Sequence, residues 1–406
     1  MKRIAILGGG AAGLCCAADL LRQTAGRASV TVFEQNSRVG KKLLATGNGR
    51  CNLTNLGASP ASYPPAQRTF VTPALTRFSP EKILDFFASL SLFTHADGEG
   101  RVYPLSNQAA GVLDALRLEN TRLGAAVRCN TAVTSIRPKN GRFLVNGEPF
   151  DCVVLALGGK AAVKGFQGYD LLSQLSIPCG KTAPGLVRLT TDDPMVKSLK
   201  GIRAAASLRL ILDGKEAMRE TGELQYTDGA LSGIAVMNLS SCYARRMQQK
   251  NTRAQIEADF VPSMEQDALR RALTAIVKTG QRQLCEDLLS GFVPKRLGIT
   301  LLKAAGLRAD GPTAALSDDQ IETLCGLCKA YRFPVIGTGS FTDAQVTVGG
   351  AVLSAVNAAT LESKQYPNLY LCGELLDVDG PCGGFNLQWA FASARLCALS
   401  IAEKLL

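Results

Sequence analysis

The sequence predicts an α/β protein in which one parallel sheet, covered by helices, is interrupted by an antiparallel, barrel-like β insertion and a small helical insertion. Three observations carry that prediction. A short apolar run, Ile4–Leu7, opens through a glycine-rich turn into a small-residue helix. Short alternating segments with turn residues fill about Leu186 to Asp259, and a helical period follows from Ser263 to Tyr331. A second strand, glycine turn and helix close the sequence from Asn368. The 406 residues exceed the roughly 250–300 over which a single hydrophobic core grows, so more than one compact part is expected. The predicted division is 1–185, 186–262 (β-rich, bearing substrate), 263–333 (helical) and 334–406, which resumes the first sheet with a return strand from the β-rich part.

Composition narrows the classes. Apolar residues at 46% exclude a disordered chain, and 40 glycines without a fixed period exclude a fibrous one. The net charge of +11 favours anionic ligands through steering and says nothing of fold. Thirteen cysteines, odd in number and scattered, suit a reducing cytosol rather than a disulfide framework. With His95 the only histidine, any histidine-based metal site or triad would have to run through it. The sole Cys-x-x-Cys, Cys325 to Cys328, offers two ligands where structural zinc wants four, so no metal is expected. No strand precedes that pair as a thioredoxin-like dithiol would require.

At the amino terminus, Met1-Lys2-Arg3 and the uncharged run to Ala18 imitate a signal peptide. Gly8, Gly9, Gly10 and Gly13 argue against it, because each would cost about 1 kcal/mol in a helix. No stretch reaches the roughly 18–20 apolar residues of a membrane span, and a cytoplasmic protein is expected. Ile4–Leu7 reads instead as a strand buried on both faces. The following Gly8-Gly9-Gly10-Ala11-Ala12-Gly13 satisfies G-x-G-x-x-G. Gly8 makes the tight turn, Gly10 with Ala11 and Ala12 lets backbone approach a pyrophosphate, and Gly13 lets the helix pack on the strand. The helix amino terminus then presents free N–H groups to phosphate. A second strand, Val30–Phe33, ends in Glu34 and Gln35, at the interval of about 20 residues where an acid binds a ribose 2′-hydroxyl. A carboxylate there disfavours a 2′-phosphate, which leaves FAD or NAD rather than NADP as the resident dinucleotide.

The next segment favours FAD. Gly40-Lys41-Lys42 leads into Thr46-Gly47-Asn48-Gly49-Arg50-Cys51-Asn52-Leu53-Thr54-Asn55, a polar loop too long to lack a role. Lys41, Lys42 and Arg50 supply cations, and the asparagines supply donors and acceptors. Near the other end, Leu371-Cys372-Gly373-Glu374 closes a strand, Asp377 follows, and Gly383-Gly384 feeds a helix through Phe385, Asn386, Leu387 and Gln388. N–H groups at such a turn stabilise negative charge on a ring carbonyl region. Val153–Leu157 is a further buried strand, ending in Gly158-Gly159. No second G-x-G-x-x-G with a trailing acid occurs, so NADH or NADPH is expected only as a transient partner.

The loop Gly40–Asn55 and the block Ala344–Ser393 together resemble the HI0933-like, or BaiN-like, family of FAD-dependent oxidoreductases, with similarity across essentially the whole chain. That family includes a bile-acid-pathway reductase and an aminoacetone oxidase. The resemblance implies a glutathione-reductase-type flavin fold with non-covalent FAD. It places Gly373, Glu374 and Asp377 on the ribityl chain and pyrophosphate, Gly384 to Gln388 on the flavin ring, and Val133, read as lying in a strand at Asn130–Val133, against adenine. It also implies hydride transfer from flavin N5 to an electron-poor C=C, an enone such as a steroid, after reduction by NAD(P)H. An amine oxidase using O2 is the alternative. An RNA-associated flavoprotein is a third reading, disfavoured because no long basic run with interleaved aromatics occurs. Two departures bear on substrate: Thr227–Gly233 is altered and followed by Ile234, and Gly158–Gly165 lacks the family's usual elements. Arg50, Tyr103 and Tyr226 are the catalytic candidates, the tyrosines as proton donors, and Cys51 is a nucleophile only if its pKa is lowered. Oligomeric state is not readable.

Overall fold

The computed structural model describes residues 1–163, 165–247 and 252–405, so Lys164 in the Gly158–Gly165 loop lies outside the described residues. Two compact units emerge: Met1–Ala183 with Val346–Leu406, and Pro184–Gln345. Among the described residues no helix is long and apolar enough to cross a membrane.

The first unit is built on a five-stranded sheet. Its strands are β1 (Lys2–Leu7), β2 (Ala28–Phe33), β6 (Ala126–Arg128), β7 (Cys152–Leu155) and β8 (Leu369–Leu371), with α1 (Ala11–Thr24) between β1 and β2. The order is β8-β7-β1-β2-β6 and every pairing is parallel. A parallel sheet is covered on both faces, which is why Ile4–Leu7 and Val153–Leu155 are unbroken apolar runs with no exposure. The last helix, α2 (Phe385–Leu405), packs on α1, and Arg395 ties it there through Asp19 at 3.1 Å. Three short strands at Ile136–Lys139, Arg142–Val145 and Glu148–Phe150 form an antiparallel meander, whose first turn, Asn140-Gly141, has φ of 51° and 73°. A second small sheet pairs β3 (Thr54–Asn55), β5 (Arg101–Pro104) and β4 (Thr94–Ala96) in that order.

One expected strand is absent. Asn130–Val133 is a turn and an extended stretch rather than a strand. Asn130 adopts φ 51°, and the N–H groups of Asn130 and Thr131 donate to the carbonyls of Asn36 and Glu34. The segment is therefore pinned beside the end of β2 by two bonds instead of a ladder.

The second unit carries a seven-stranded antiparallel sheet. Its order is Tyr331–Val335, Ala254–Asp259, Arg203–Leu212, Lys215–Thr227, Ala230–Ser232, Leu189–Thr190 and Gly337–Thr338. The first and last of these strands are separated in the chain by Ile336 alone, so the sheet curls round on itself like a barrel. Burial alternates along Arg203–Leu212, one face apolar and one wet. Helices Gln266–Thr279, Lys295–Ala304 and Asp318–Ala330 share this core: Leu269, Leu273, Leu301 and Leu324 belong with Leu208, Leu210, Ile256 and Phe333. The last of these helices opens on a Ser317–Gln320 capping box, and Cys325 and Cys328 lie buried on it. Among the described residues no group of three or more side chains could hold a metal ion.

Candidate functional site: a dinucleotide cradle in the first unit

The glycines of the first turn are fixed by close approach. A Cβ on Gly13 would sit 1.9 Å from the carbonyl oxygen of Gly8, so α1 can lie against β1 only without one. Gly10 is the opposite case, with nothing within 4 Å of its Cβ position and no side chain capping the α1 amino terminus behind it. The first-turn N–H groups beside Ala11 and Ala12 are thus left for an anion. Glu34 lies buried at the end of β2 and folds back on this turn. Its Oε2 accepts from Gly9 N–H at 3.0 Å, and its Oε1 accepts from the Asn36 backbone and side-chain N–H groups at 2.8 and 2.6 Å. A carboxylate has about four acceptor positions, so one stays open for a hydroxyl. Gln35 points into solvent.

The polar loop closes the next side. Gly40 N–H donates to Gly9 at 2.8 Å, and the short helix Lys41–Ala45 follows. Gly47, Asn48, Gly49 and Cys51 all take left-handed backbone, which coils Thr46–Asn52 tightly. Cys51 is fully buried, and burial pushes its thiol up to about 12, so it holds its proton and is no nucleophile at neutral pH. Asn52 is nearly buried too, and its Oδ1 has no hydrogen-bond partner.

The far half is buttoned to this loop by long-range bonds. Thr54 Oγ1 donates to Gln388 Oε1 at 2.7 Å, and Asn55 Nδ2 donates to the Gly383 carbonyl at 3.1 Å. Gly384, at φ 103°, lies so close that a Cβ would be 2.4 Å from the Thr54 carbonyl group and 2.8 Å from Asn52 Oδ1. Asn386 bridges Gly380 through both its amide groups, Tyr63 donates to the Phe385 carbonyl at 2.7 Å, and Leu387 packs on the core. Gly373 meets Ala12: a Cβ there would be 2.9 Å from the alanine's own. Glu374 is held on both sides, by Lys42 Nζ at 2.6 Å and by the Thr347 N–H at 2.9 Å. Asp377 is half-buried, its N–H donating to the Ala351 carbonyl at 3.1 Å, and Gly158 leaves open space over its Cβ position.

The structure thus brings Gly8 to Gly13, Glu34, Lys42, the Thr46–Asn52 loop, Gly158 and Gly373 to Gln388 into one cradle, with Lys41 exposed at its rim. Val133 is half-buried against the core, two residues beyond the Thr131 N–H that donates to the Glu34 carbonyl. Arg50 is exposed, with its guanidinium carbon 4.8 Å from the centroid of the buried Tyr103 ring. Tyr226 belongs to the second unit, where it is 1% exposed against Phe333 and its hydroxyl has no partner. One residue not singled out from the sequence also matters, and a second, the lone Trp389 expected in the core, takes a polar role there. Thr347 is buried, and its Oγ1 accepts from Ala161 N–H at 3.0 Å while its N–H holds Glu374. Trp389 is a core residue whose indole N–H donates to the Gly373 carbonyl at 3.1 Å. A lone threonine between Val346 and Val348 was the signal available for the first.

An uncapped helix terminus, an acid with one free lone pair, open space above Gly10 and Gly158, and the orphaned Asn52 Oδ1 together fit an extended dinucleotide such as FAD. The chain matches the family described as HI0933-like protein Rossmann domain over residues 2–400. It is 36% identical to the 3-dehydro-bile acid delta(4,6)-reductase of Clostridium scindens over 100% of both chains. It is 30% identical to the ribosomal RNA dihydrouridine synthase of Haemophilus influenzae over 98% of each. Among solved structures, the 3-ketosteroid delta1-dehydrogenase of Sterolibacterium denitrificans aligns over 100% of both chains at 12% identity with a TM-score of 0.51, a likeness of fold. The strand–glycine turn–helix, the Gly40–Asn55 loop and the whole-length match leave one assignment: this chain belongs to the HI0933-like family.

Proposed function

We propose that the protein is an FAD-dependent oxidoreductase that reduces a C=C bond conjugated to a carbonyl, with NADH or NADPH as transient reductant. The observation that carries this reading is the pair of full-length relatives, whose names describe saturation of a C=C in a bile acid and in uridine. In both, the double bond is conjugated to a carbonyl, so one chemistry serves two substrates. Bound in the cradle, FAD would supply two-electron hydride chemistry, with NADH or NADPH as the reductant and the alkene as the acceptor.

The chain's own part is placement, electrostatics and protons. The first turn of α1 offers N–H groups to the pyrophosphate, and Glu34 offers its free lone pair to a ribose hydroxyl. Backbone near Val133 lines the adenine, and Lys42, Glu374 and Asp377 hold the ribityl side. The start of α2, Gly384 to Leu387, would present its N–H groups to the ring, and Asn52 Oδ1, which lacks a partner in the chain, would be free to accept there. Tyr103, whose ring lies against the Arg50 guanidinium, is the candidate proton donor. The substrate favoured is a small enone of the steroid kind. Thirteen free thiols suit a reducing, cytoplasmic setting.

A second reading, the same reduction performed on uridine in ribosomal RNA, is favoured by the Haemophilus relative and by the net charge of +11. Turnover with NADH or NADPH is measured anaerobically against a 3-oxo-Δ4 steroid and against uridine-containing rRNA, and aerobically against aminoacetone. Loss of the steroid C=C supports the first reading and dihydrouridine the second. Hydrogen peroxide from aminoacetone, with neither reduced product, overturns both.

A further inference from the structure

Beside the cradle, one face of the small β3-β5-β4 sheet carries, around Tyr103, the side chains of Phe93, His95 and Leu105, which no role so far accounts for. His95 and Tyr103 are register partners, and Leu105 N–H donates to the Phe93 carbonyl at 2.9 Å, extending the ladder by one pair. Strand alternation puts Phe93, His95, Tyr103 and Leu105 on the same face. The inner end of that face touches the cradle. A Cβ on Gly47 would lie 3.8 Å from the Tyr103 ring, and one on Gly383 would lie 3.6 Å from Arg101 Cγ. The outer end is open: Phe93 is 64% exposed and Leu105 62%, among the largest exposures of any apolar side chain described. Arg50 stacks on Tyr103, with the His95 ring 5.9 Å from the same tyrosine. No carboxylate pairs with Arg50 among the described residues, whereas Arg101 is taken by Asp97 and Glu99.

We propose that this face is the substrate platform of the reductase, and that Phe93, Leu105 and Arg50 determine its specificity for a flat, fused-ring conjugated ketone carrying one carboxylate. The proposal rests on the enone reading above. Two exposed apolar side chains in a row suit a rigid ring system several rings long, and they leave a single ring beyond their reach. One unpaired guanidinium suits one anionic group. Arg101 on the same hairpin is already taken by Asp97 and Glu99, so this face offers one free guanidinium rather than the row of cations a phosphate backbone needs, which favours a small monoanion over RNA.

The test uses FAD-loaded protein and four probes: a 3-oxo-Δ4 steroid with a side-chain carboxylate, its uncharged counterpart, 2-cyclohexenone, and a uridine-containing rRNA fragment. Binding to the oxidised protein is read from the flavin difference spectrum, which is independent of turnover, and KM and kcat are measured separately. F93S/L105S changes only exposed side chains, and L118S, on an exposed helix position, is the control. The expected result is a rise in steroid Kd and KM of about tenfold or more in F93S/L105S, with kcat and cyclohexenone unchanged within about twofold. R50Q should erase the preference for the carboxylated steroid over the uncharged one. The proposal is overturned if F93S/L105S binds both steroids as wild type does, if no steroid perturbs the flavin spectrum, or if only rRNA binding falls. Failure of the wild type to reduce any enone while these binding effects persist would sink the enone reading and leave the platform standing.

Discussion

The two glycine turns of the cradle are alike in composition and different in what holds them. The first, Gly8 to Gly13, is set mostly within one strand, one helix and the next strand, with the Ala156 backbone beyond β7 closing behind Gly8. Gly8 N–H bonds the end of β2, Gly13 clears the Gly8 carbonyl, and Glu34 reaches back to Gly9. The second, Gly383-Gly384, is set by residues more than 300 positions away: Thr54, Asn55 and Tyr63. A local turn folds with its strand and helix, whereas a turn closed by distant partners depends on the finished domain. The first should therefore govern stability and the second should govern the cofactor.

Alanine at Gly13 should break the first turn most severely. Its Cβ meets backbone at 1.9 Å, so α1 must leave the sheet, and a loss of more than about 3 kcal/mol in urea unfolding is expected, with FAD lost as well. Alanine at Gly384 should separate the two effects. It displaces the Thr54 backbone, so FAD retention after gel filtration falls sharply while the urea midpoint moves by less than half as much as in G13A. Removing Gln388, which bonds Thr54 and the Phe78 carbonyl from a fully buried position, leaves both partners unsatisfied. Q388A should cost about 1–3 kcal/mol and weaken FAD binding. Smaller still is W389F, which deletes one bond to Gly373 and should cost about 1 kcal/mol by thermal melt.

Alkaline pH sharpens the same contrast. Burial pushes the Cys51 and Cys328 thiols from the ordinary 9.0 up to about 12 in the folded chain. Their contribution to stability is complete below pH 9 and is lost as pH rises toward 12, by about 1.4 kcal/mol per unit and thiol. C51A should flatten the FAD-release profile above pH 9, and C328A should flatten only the unfolding profile.

What the sequence made legible follows the same line. Ile4–Leu7, the turn and Glu34 could be read as they stand because the glycine spacing and the trailing acid are local patterns, even though β1 also pairs with Cys152–Leu155 from far along the chain, and the parallel sheet around them follows from unbroken apolar strands. The curled sheet and helices of the second unit were legible as alternation and helical period. That Leu301 and Leu324 share a core with Phe333 was not, because tertiary packing leaves no local pattern. Asn130–Val133 looked like a strand by composition, yet two backbone bonds to Glu34 and Asn36 claim its donors. Thr347 and Asn52 gain meaning only from Glu374 and Gly384, which approach them across the fold.

The central claim is that this cradle holds FAD and that the chain uses it to saturate a conjugated C=C. A single-turnover experiment tests it most directly. The purified protein is reduced anaerobically with NADH or NADPH, mixed with one equivalent of a 3-oxo-Δ4 steroid, and followed through the flavin bands near ~450 and ~375 nm. Bleaching by the nicotinamide and return of both bands in step with loss of the steroid C=C is the expected result. A protein that takes up no FAD, or a reduced flavin that only O2 reoxidises, would contradict it.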